Sequence, residues 1–481
     1  MKGKFLSSLF LLMLFNFLVK PFWLLGIDRS IQNVVGAESY GMYYALFNLS
    51  FLLDILLDLG ITNYNNRSIA QNHALVGKNL IGIAYLKIGL AVLYLGMSLG
   101  FGAILGYHNP MLYLLFVLGI NKVLLSGILF LRSNVSGLQL FKTDAVLSVL
   151  DRSFLIIICA ALLWGGFVES EFQIVWLVYA QTVAYFLSLL ISIVVVLGKS
   201  TGLKWQLNIG DIKAILKQSL PYALVILFMS IYYRVDAVML ERMLDNGDFE
   251  AGIYAQGYRI LDALNMVAYL FVGILFPLFS KQIANKEKYQ TILNLSNRLL
   301  LSFAMVVAVS CFFYGDQITN LLYTETSTSS GDVFSLLVLC FIPISFVNIH
   351  GTLLTANGNL RDFNIIAFSG IIINVGLNLW LIPQYAAFGS ALATLLTNSF
   401  IAILIFIALH RRMNLESDPL LALKLIGLGA LMMLAQLFLY PRTGLSWTSL
   451  WFISLALGGL GAFVLRIIGM NSIKAFLKLK K

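Results

Sequence analysis

Six basic and five acidic residues sit inside apolar stretches of this chain: Lys20, Lys87, Lys122, Arg152, Arg234 and Arg259, against Asp54, Asp58, Asp151, Asp236 and Asp262. In hydrocarbon each costs about 2.5 kcal/mol or more unless it is paired or hydrated. That total exceeds what a structural helix bundle tolerates, and a water-filled cavity lined by these groups resolves it. Lys and Arg in such a cavity can capture an anion. Neighbouring carboxylates can exchange a proton or a sodium ion.

Each candidate has a plainer alternative. Lys20 precedes Pro21, which places a cation on a bending helix; otherwise it is a lysine snorkelling to the outer headgroups. Arg234 and Asp236 lie two apart in Tyr232-Tyr233-Arg234-Val235-Asp236 and so face different sides of a helix. One can face a cavity while the other ties a neighbouring helix. Arg259 and Asp262 are three apart and can pair locally. Asp54 and Asp58 are one helical turn apart and are expected to share a face. They serve either as an ion-coupling pair or as partners of Lys87, Lys122 or Arg152. Asn348, His350, Asn374, Asn378, Thr394, Thr397 and Asn398 read first as interhelical hydrogen-bonding residues.

Other chemistry is missing from the sequence. No G-x4-G-K-[ST] loop, H-E-x-x-H or credible G-x-S-x-G elbow occurs, which argues against direct use of ATP. Cys159, Cys311 and Cys340 are isolated in apolar stretches and form neither a disulfide framework nor a metal site. No loop is long enough to house a catalytic domain. The chain reads as a non-enzyme without a cofactor.

The elements that must position these residues are spanning helices. The chain is 60% hydrophobic and 11% charged, against about 25% charged in a soluble domain. About fourteen spans of bilayer length fall at 5–27, 40–61, 79–106, 111–132, 144–166, 172–197, 219–241, 251–277, 289–314, 333–355, 363–383, 386–409, 420–440 and 446–468. Lys2 and Lys4 precede an apolar run too long for a signal sequence, so this run reads as a retained first span. With that end inside, 23 Lys and Arg fall in inner segments. Only Arg29, Arg242 and Arg442 fall in outer loops. The bias puts both termini in the cytoplasm. It also accounts for the net charge of +10 without nucleic acid. Trp23, Trp164, Trp176, Trp380, Trp447 and Trp451 cluster near the outer boundaries, as an interfacial belt does. Pro21 and Pro343 lie inside spans and are expected to bend them.

The organisation is a six-helix lobe over 1–200, a cytoplasmic linker over 201–218, a second six-helix lobe over 219–412, and two further helices with a basic tail over 413–481. A weak echo supports duplication. Gly36-x4-Gly41-Met42-Tyr43 reappears, offset by 211 residues, as Gly247-x4-Gly252-Ile253-Tyr254. Repeated blocks with a site between them are a transporter architecture.

Several segments resemble bacterial polysaccharide flippases of the Wzx type. In the first half these are Gly36-Ala-Glu-Ser-Tyr-Gly41-Met-Tyr, Leu57-Asp58-Leu59-Gly60-Ile61 and Arg67-Ser-Ile-Ala70. In the second half they are Tyr233-Arg234-Val235-Asp236, Gly252-Ile253-Tyr254 through Arg259, Phe276-Pro277 and Ala356-Asn357-Gly358-Asn359. The resemblance covers the whole chain. It implies an all-α, multidrug-exporter-like fold with two six-helix lobes around a central cavity and two helices packed outside. It also implies movement of undecaprenyl-diphosphate-linked oligosaccharide from the cytoplasmic to the outer leaflet of a bacterial cytoplasmic membrane. Such repeat units build O-antigen or capsule.

On that reading Lys20, Arg234 and Arg259 serve the outer half of the cavity and Lys122 and Arg152 lie deeper, while the polyprenyl tail stays in lipid. The expected partners are the lipid-linked oligosaccharide, the bilayer and polysaccharide polymerase machinery. Three rivals remain. A cation-coupled multidrug exporter of the same fold would use Asp54 or Asp236. A flippase for the peptidoglycan lipid precursor, and a membrane-embedded polymerase or ligase, are the others.

Overall fold

Apolar runs of twenty or more residues must satisfy their backbone internally in lipid, and α-helices do so within one segment. The computed structural model describes residues 18–73, 75–166, 172–200, 209–416, 418–439 and 444–469, and its secondary structure there is helical. The helices are α1 Arg29–Leu52, α2 Ile61–Gln71, α3 Leu75–Ile104, α4 Met111–Gly137, α5 Phe141–Trp164, α6 Ile174–Leu197, α7 Ile209–Met243 and α8 Gly247–Gln282. They continue as α9 Lys286–Ser296, α10 Ser302–Phe312, α11 Gly315–Leu322, α12 Ser330–Leu339, α13 Phe341–Ala356, α14 Leu360–Met413, α15 Pro419–Leu439 and α16 Trp447–Val464.

Helix occupies each of the fourteen expected spans where residues are described, so the all-α polytopic reading stands. Residues 5–17 of the first span, 201–208 of the linker, Arg442 and the tail from 470 lie outside the described residues.

Breaks in the helices fall where the sequence supplies a cause. Pro21 lies just ahead of a π-helical turn, Trp23–Asp28. Gly36 has φ 79° and splits α1; helix therefore continues to residue 35, past the expected span end at 27. The second span breaks after Leu52. It continues as a 3-10 turn, Asp54–Leu57, passes Leu59 and Gly60 at positive φ, and resumes as α2 at a bend of 50°. Pro343 sits in the first turn of α13, and Cys340 ahead of it keeps helical angles, φ −58° and ψ −22°, so no break accompanies this proline. Ala386, with φ 47°, separates the two spans inside α14, three residues beyond Pro383.

The chain divides into two compact units, residues 1–252 and 253–481. In the first unit α4 is central, touching α1, α2, α3, α5 and α6, while α7 packs along α1. Its core is Ile61, Leu80, Ile83, Phe130, Leu131, Val135, Leu147 and Val196. The two echoing glycine motifs meet here. A Cβ on Gly41 would fall on the Asp248 carbonyl and the Gly252 amide, and a Cβ on Gly252 on the Ala37 carbonyl. Ala37 and Asp248, like Gly41 and Gly252, are 211 apart. The contact is therefore reciprocal, as a duplicated pair of helices produces. In the second unit α14 packs on α12 and α13, and α10 carries both C-terminal helices. Ser310 bonds Ser454 at 2.9 Å, and the Tyr314 hydroxyl donates to Gln436 Oε1 at 2.5 Å.

Candidate functional site

The break in the second span sorts the two carboxylates that the sequence placed on one face. That expectation assumed a continuous α-helix, whereas Asp54–Leu57 is wound as 3-10 and Asp58 has φ −130°. Asp58 takes the Lys87 ammonium at 2.8 Å. Lys87 Nζ also donates to the Leu57 carbonyl at 3.0 Å and to Ser126 Oγ at 2.8 Å. All three ammonium protons are thus used, and Lys87 pins the carbonyl that the broken helix leaves open. This is the structural pairing foreseen for Asp58. Asp54 instead lies beside Lys122, its foremost charged neighbour.

Lys122 is different. Its side chain is 4% exposed, and its ammonium is buried without a hydrogen-bond partner. It lies over the Phe51 ring and 5.2 Å from the centre of the Phe47 ring. Arg234 approaches the same Phe51 ring, with Cζ 4.9 Å from its centre, and donates from Nη1 to Asn48 Oδ1 at 3.3 Å. Asn48 is held in turn by the Tyr44 carbonyl at 2.7 Å. Cation–π contact recovers about 1–2 kcal/mol of a cation's lost hydration. That is well short of the several kcal/mol a buried lone charge costs.

The cations form a ladder inside the first unit. Lys20 has Arg152 as its foremost charged neighbour, with Asp151 and Arg132 beyond. Arg152 lies 5.9 Å over the Trp23 ring and 3.8 Å from Asp151. Lys122 feels Asp54, Arg234 and Arg152. Arg152 thus acts electrostatically on both Lys20 and Lys122, and Arg234 on Lys122.

The helix carrying Lys20 continues to Gly36, about 24 Å further on at 1.5 Å per residue. Asp236 is 1% exposed. In the second unit Arg259 pairs with Asp262 at 3.9 Å, the local pair its spacing allowed. The polar residues of α13 and α14 are mixed. Thr394 bonds Tyr254 across helices at 3.0 Å, while Asn378 and Asn398 each donate to a carbonyl four residues back.

Sequence reasoning missed several groups. Asp28, 1% exposed, accepts from the Tyr40 hydroxyl at 2.9 and 3.0 Å. It fell just past the assumed end of the first span. Asn48 and Phe51 carry no charge and gave no signal. Glu241, the last residue of the expected span 219–241, is 4% exposed and is bonded by Tyr107 and Arg242. Arg242 also covers the Tyr107 ring at 4.1 Å. Burial and the Glu241 carboxylate push the Tyr107 phenol above its ordinary pKa. Among the described residues no group of three metal-ligating side chains occurs.

Among solved structures, the fold is similar to Lipid II flippase MurJ in an inward closed conformation. The TM-score is 0.70 at 14% identity, over 96% of this chain and 97% of that one. It is also similar to an inward-facing multidrug resistance MATE family transporter of the MOP superfamily, with TM-score 0.64 and 15% identity over 82% and 94% of the two chains. A MOP superfamily transporter from Pyrococcus furiosus gives 0.56 and 16% over 86% and 94%. The fold is therefore that of multi-pass MOP-superfamily transporters. The model of the polysaccharide biosynthesis protein family matches residues 5–283, and the Lipid II flippase MurJ model matches 146–458. The chain belongs to the polysaccharide biosynthesis protein family. An uncharacterised membrane protein of Methanocaldococcus jannaschii is 24% identical over 382 residues, 76% of this chain and 88% of that protein.

Proposed function

We propose that this membrane transporter flips a polyprenyl-diphosphate-linked oligosaccharide from the cytoplasmic to the outer leaflet by alternating access, as a step in cell-surface polysaccharide synthesis. The observation that carries this reading is the Lys122 ammonium, buried without a hydrogen-bond partner beside Arg234 on one aromatic ring. A diphosphate brings about two negative charges and several acceptor oxygens. It supplies the hydrogen bonds that Lys122 lacks. The basic ladder also argues against a cationic drug as cargo, since a cation would be repelled by four neighbouring bases.

In the proposed cycle the diphosphate enters at the Lys20–Arg152 end and passes to Lys122 and Arg234. The sugar occupies hydrated space, and the tail remains in hydrocarbon. Arg259, Asp236 and Asp262 are proposed to act on the second-half side, with Asp54 as a coupling carboxylate. The test is complementation of a bacterial host that lacks its own flippase. Wild type restores surface polysaccharide. Lys122→Met and Arg234→Gln, at normal membrane levels, leave the lipid-linked oligosaccharide in the inner leaflet. Full restoration by both variants contradicts the proposal.

A further inference from the structure

In the second unit the two arms of α14, before and after Ala386, run antiparallel. A Cβ on Gly370 would lie 2.6 Å from Ile401 Cδ1, and Asp362 in the first turn meets Arg412 in the last. Between these two contacts the arms part and leave a groove of ≈ 500 Å³. Its walls are Ile365, Ile366 and Ser369 on one arm and Leu404, Ile407 and Ala408 on the other. It extends about 10 Å, from Asp362 to Ser369, at 1.5 Å per residue. Ser369 gives its hydroxyl proton to the Ile366 carbonyl at 2.7 Å, so the walls offer an apolar surface. Ile365 and Ile407 are 58% and 38% exposed. On spanning helices that exposure is to hydrocarbon, and lipid is what covers it.

The rim is charged. Asp362, Arg411 and Arg412 form it, at the level where both arms reach the membrane boundary. Arg412 is taken up by Asp362, through Nε at 2.7 Å and Nη2 at 3.0 Å. That pair braces the ends of the two arms. Arg411 is exposed and makes no ion pair or hydrogen bond among the described residues. A basic last turn suits a helix C-terminus and the bias of Lys and Arg to the inner side. Either accounts for Arg411 alone. Neither accounts for an apolar groove that opens directly beneath an unengaged guanidinium.

We propose that this groove binds a resident anionic phospholipid of the inner leaflet, whichever cargo the protein moves. Arg411 takes the phosphodiester, and the upper part of one acyl chain lies between the arms on Ile365, Leu404 and Ile407. A guanidinium matches two phosphate oxygens with a planar fork. Basic pockets between spanning helices on the cytoplasmic side hold anionic headgroups in this way. The leaflet follows from the orientation that the Lys and Arg distribution predicts. A lipid seated here touches both arms of α14 and so stabilises the folded protein by binding to it.

The experiment follows thermal unfolding of the delipidated full chain in detergent. The probes are dioctanoyl phosphatidylglycerol, dioctanoyl phosphatidylcholine, and glycerol phosphate as a headgroup without chains. Phosphatidylglycerol is expected to raise the unfolding temperature saturably, and the other two to raise it less than half as far. Arg411→Gln removes the fork, and Ala408→Phe fills the groove. Each is expected to raise the half-saturating phosphatidylglycerol concentration about fivefold, the weight of one basic residue against an anionic leaflet. Lys288→Gln removes an exposed lysine that does not line the groove, and its titration should match wild type. Arg411 is exposed and tolerates Gln, so its titration decides the matter even if Ala408→Phe fails to fold. A wild-type titration in Arg411→Gln overturns the proposal. So does phosphatidylcholine acting as well as phosphatidylglycerol, which means unselective lipid cover. Glycerol phosphate acting as well as the lipid overturns it in favour of a free phosphate site. An equal loss in Lys288→Gln overturns it in favour of diffuse surface charge.

Discussion

Lys87 and Lys122 are both buried lysines on neighbouring helices, and they invite opposite outcomes on removal. Lys87 satisfies Asp58, Ser126 and the Leu57 carbonyl. Lys87→Met strands those acceptors and is expected to lower stability by about 1–3 kcal/mol, read as a drop in thermal unfolding temperature in detergent. Lys122 makes no such bonds. Lys122→Met removes a buried ammonium that makes no hydrogen bond, so the unfolding temperature should hold or rise while transport falls about tenfold or more. A Lys122→Met protein that melts earlier than wild type would mark Lys122 as structural. The charged residues were legible because any charge in an apolar run stands out. Their charged partners were legible in part, as Arg259–Asp262 and Asp58–Lys87, but the uncharged ones were not. Asn48 and Phe51 look like ordinary span residues, and only the helix break shows which charges meet.

At the scale of elements, the broken second span and the glycine crossing set the geometry of the first unit. The crossing admits no side chain on Gly41 or Gly252. Gly41→Ala and Gly252→Ala each force backbones apart, at a cost of about 1–3 kcal/mol. The check is the monodisperse fraction recovered by size-exclusion chromatography. Gly100→Ala, in open space, should recover like wild type or better, because alanine favours helix by about 0.5–1 kcal/mol. Equal recovery of all three variants would mean the crossing is loose. Span number and the glycine echo were readable from hydropathy and spacing. That the two copies of the motif touch each other was not, since spacing in sequence carries no information about docking. Hydropathy also hid the break at 53–60, because Leu53, Ile55, Leu56 and Leu57 are as apolar as any helical run.

At the scale of the molecule, the distribution of Lys and Arg predicts both termini in the cytoplasm. Single cysteines in a background lacking the three native, buried thiols check this. Asn246→Cys should react with an impermeant maleimide from outside intact cells, and Glu287→Cys only after permeabilisation; the reverse pattern would invert the topology. The family and fold make the chain a transporter, and the cargo is the central claim. The most direct measurement is leaflet accessibility of a fluorescent polyprenyl-diphosphate sugar in liposomes reconstituted with the purified protein, under imposed proton and sodium gradients. The prediction is protein-dependent movement that is lost in Lys122→Met and Arg234→Gln while both proteins stay folded. Movement undiminished in both variants, or no movement of the sugar lipid alongside uptake of a cationic dye, would contradict it.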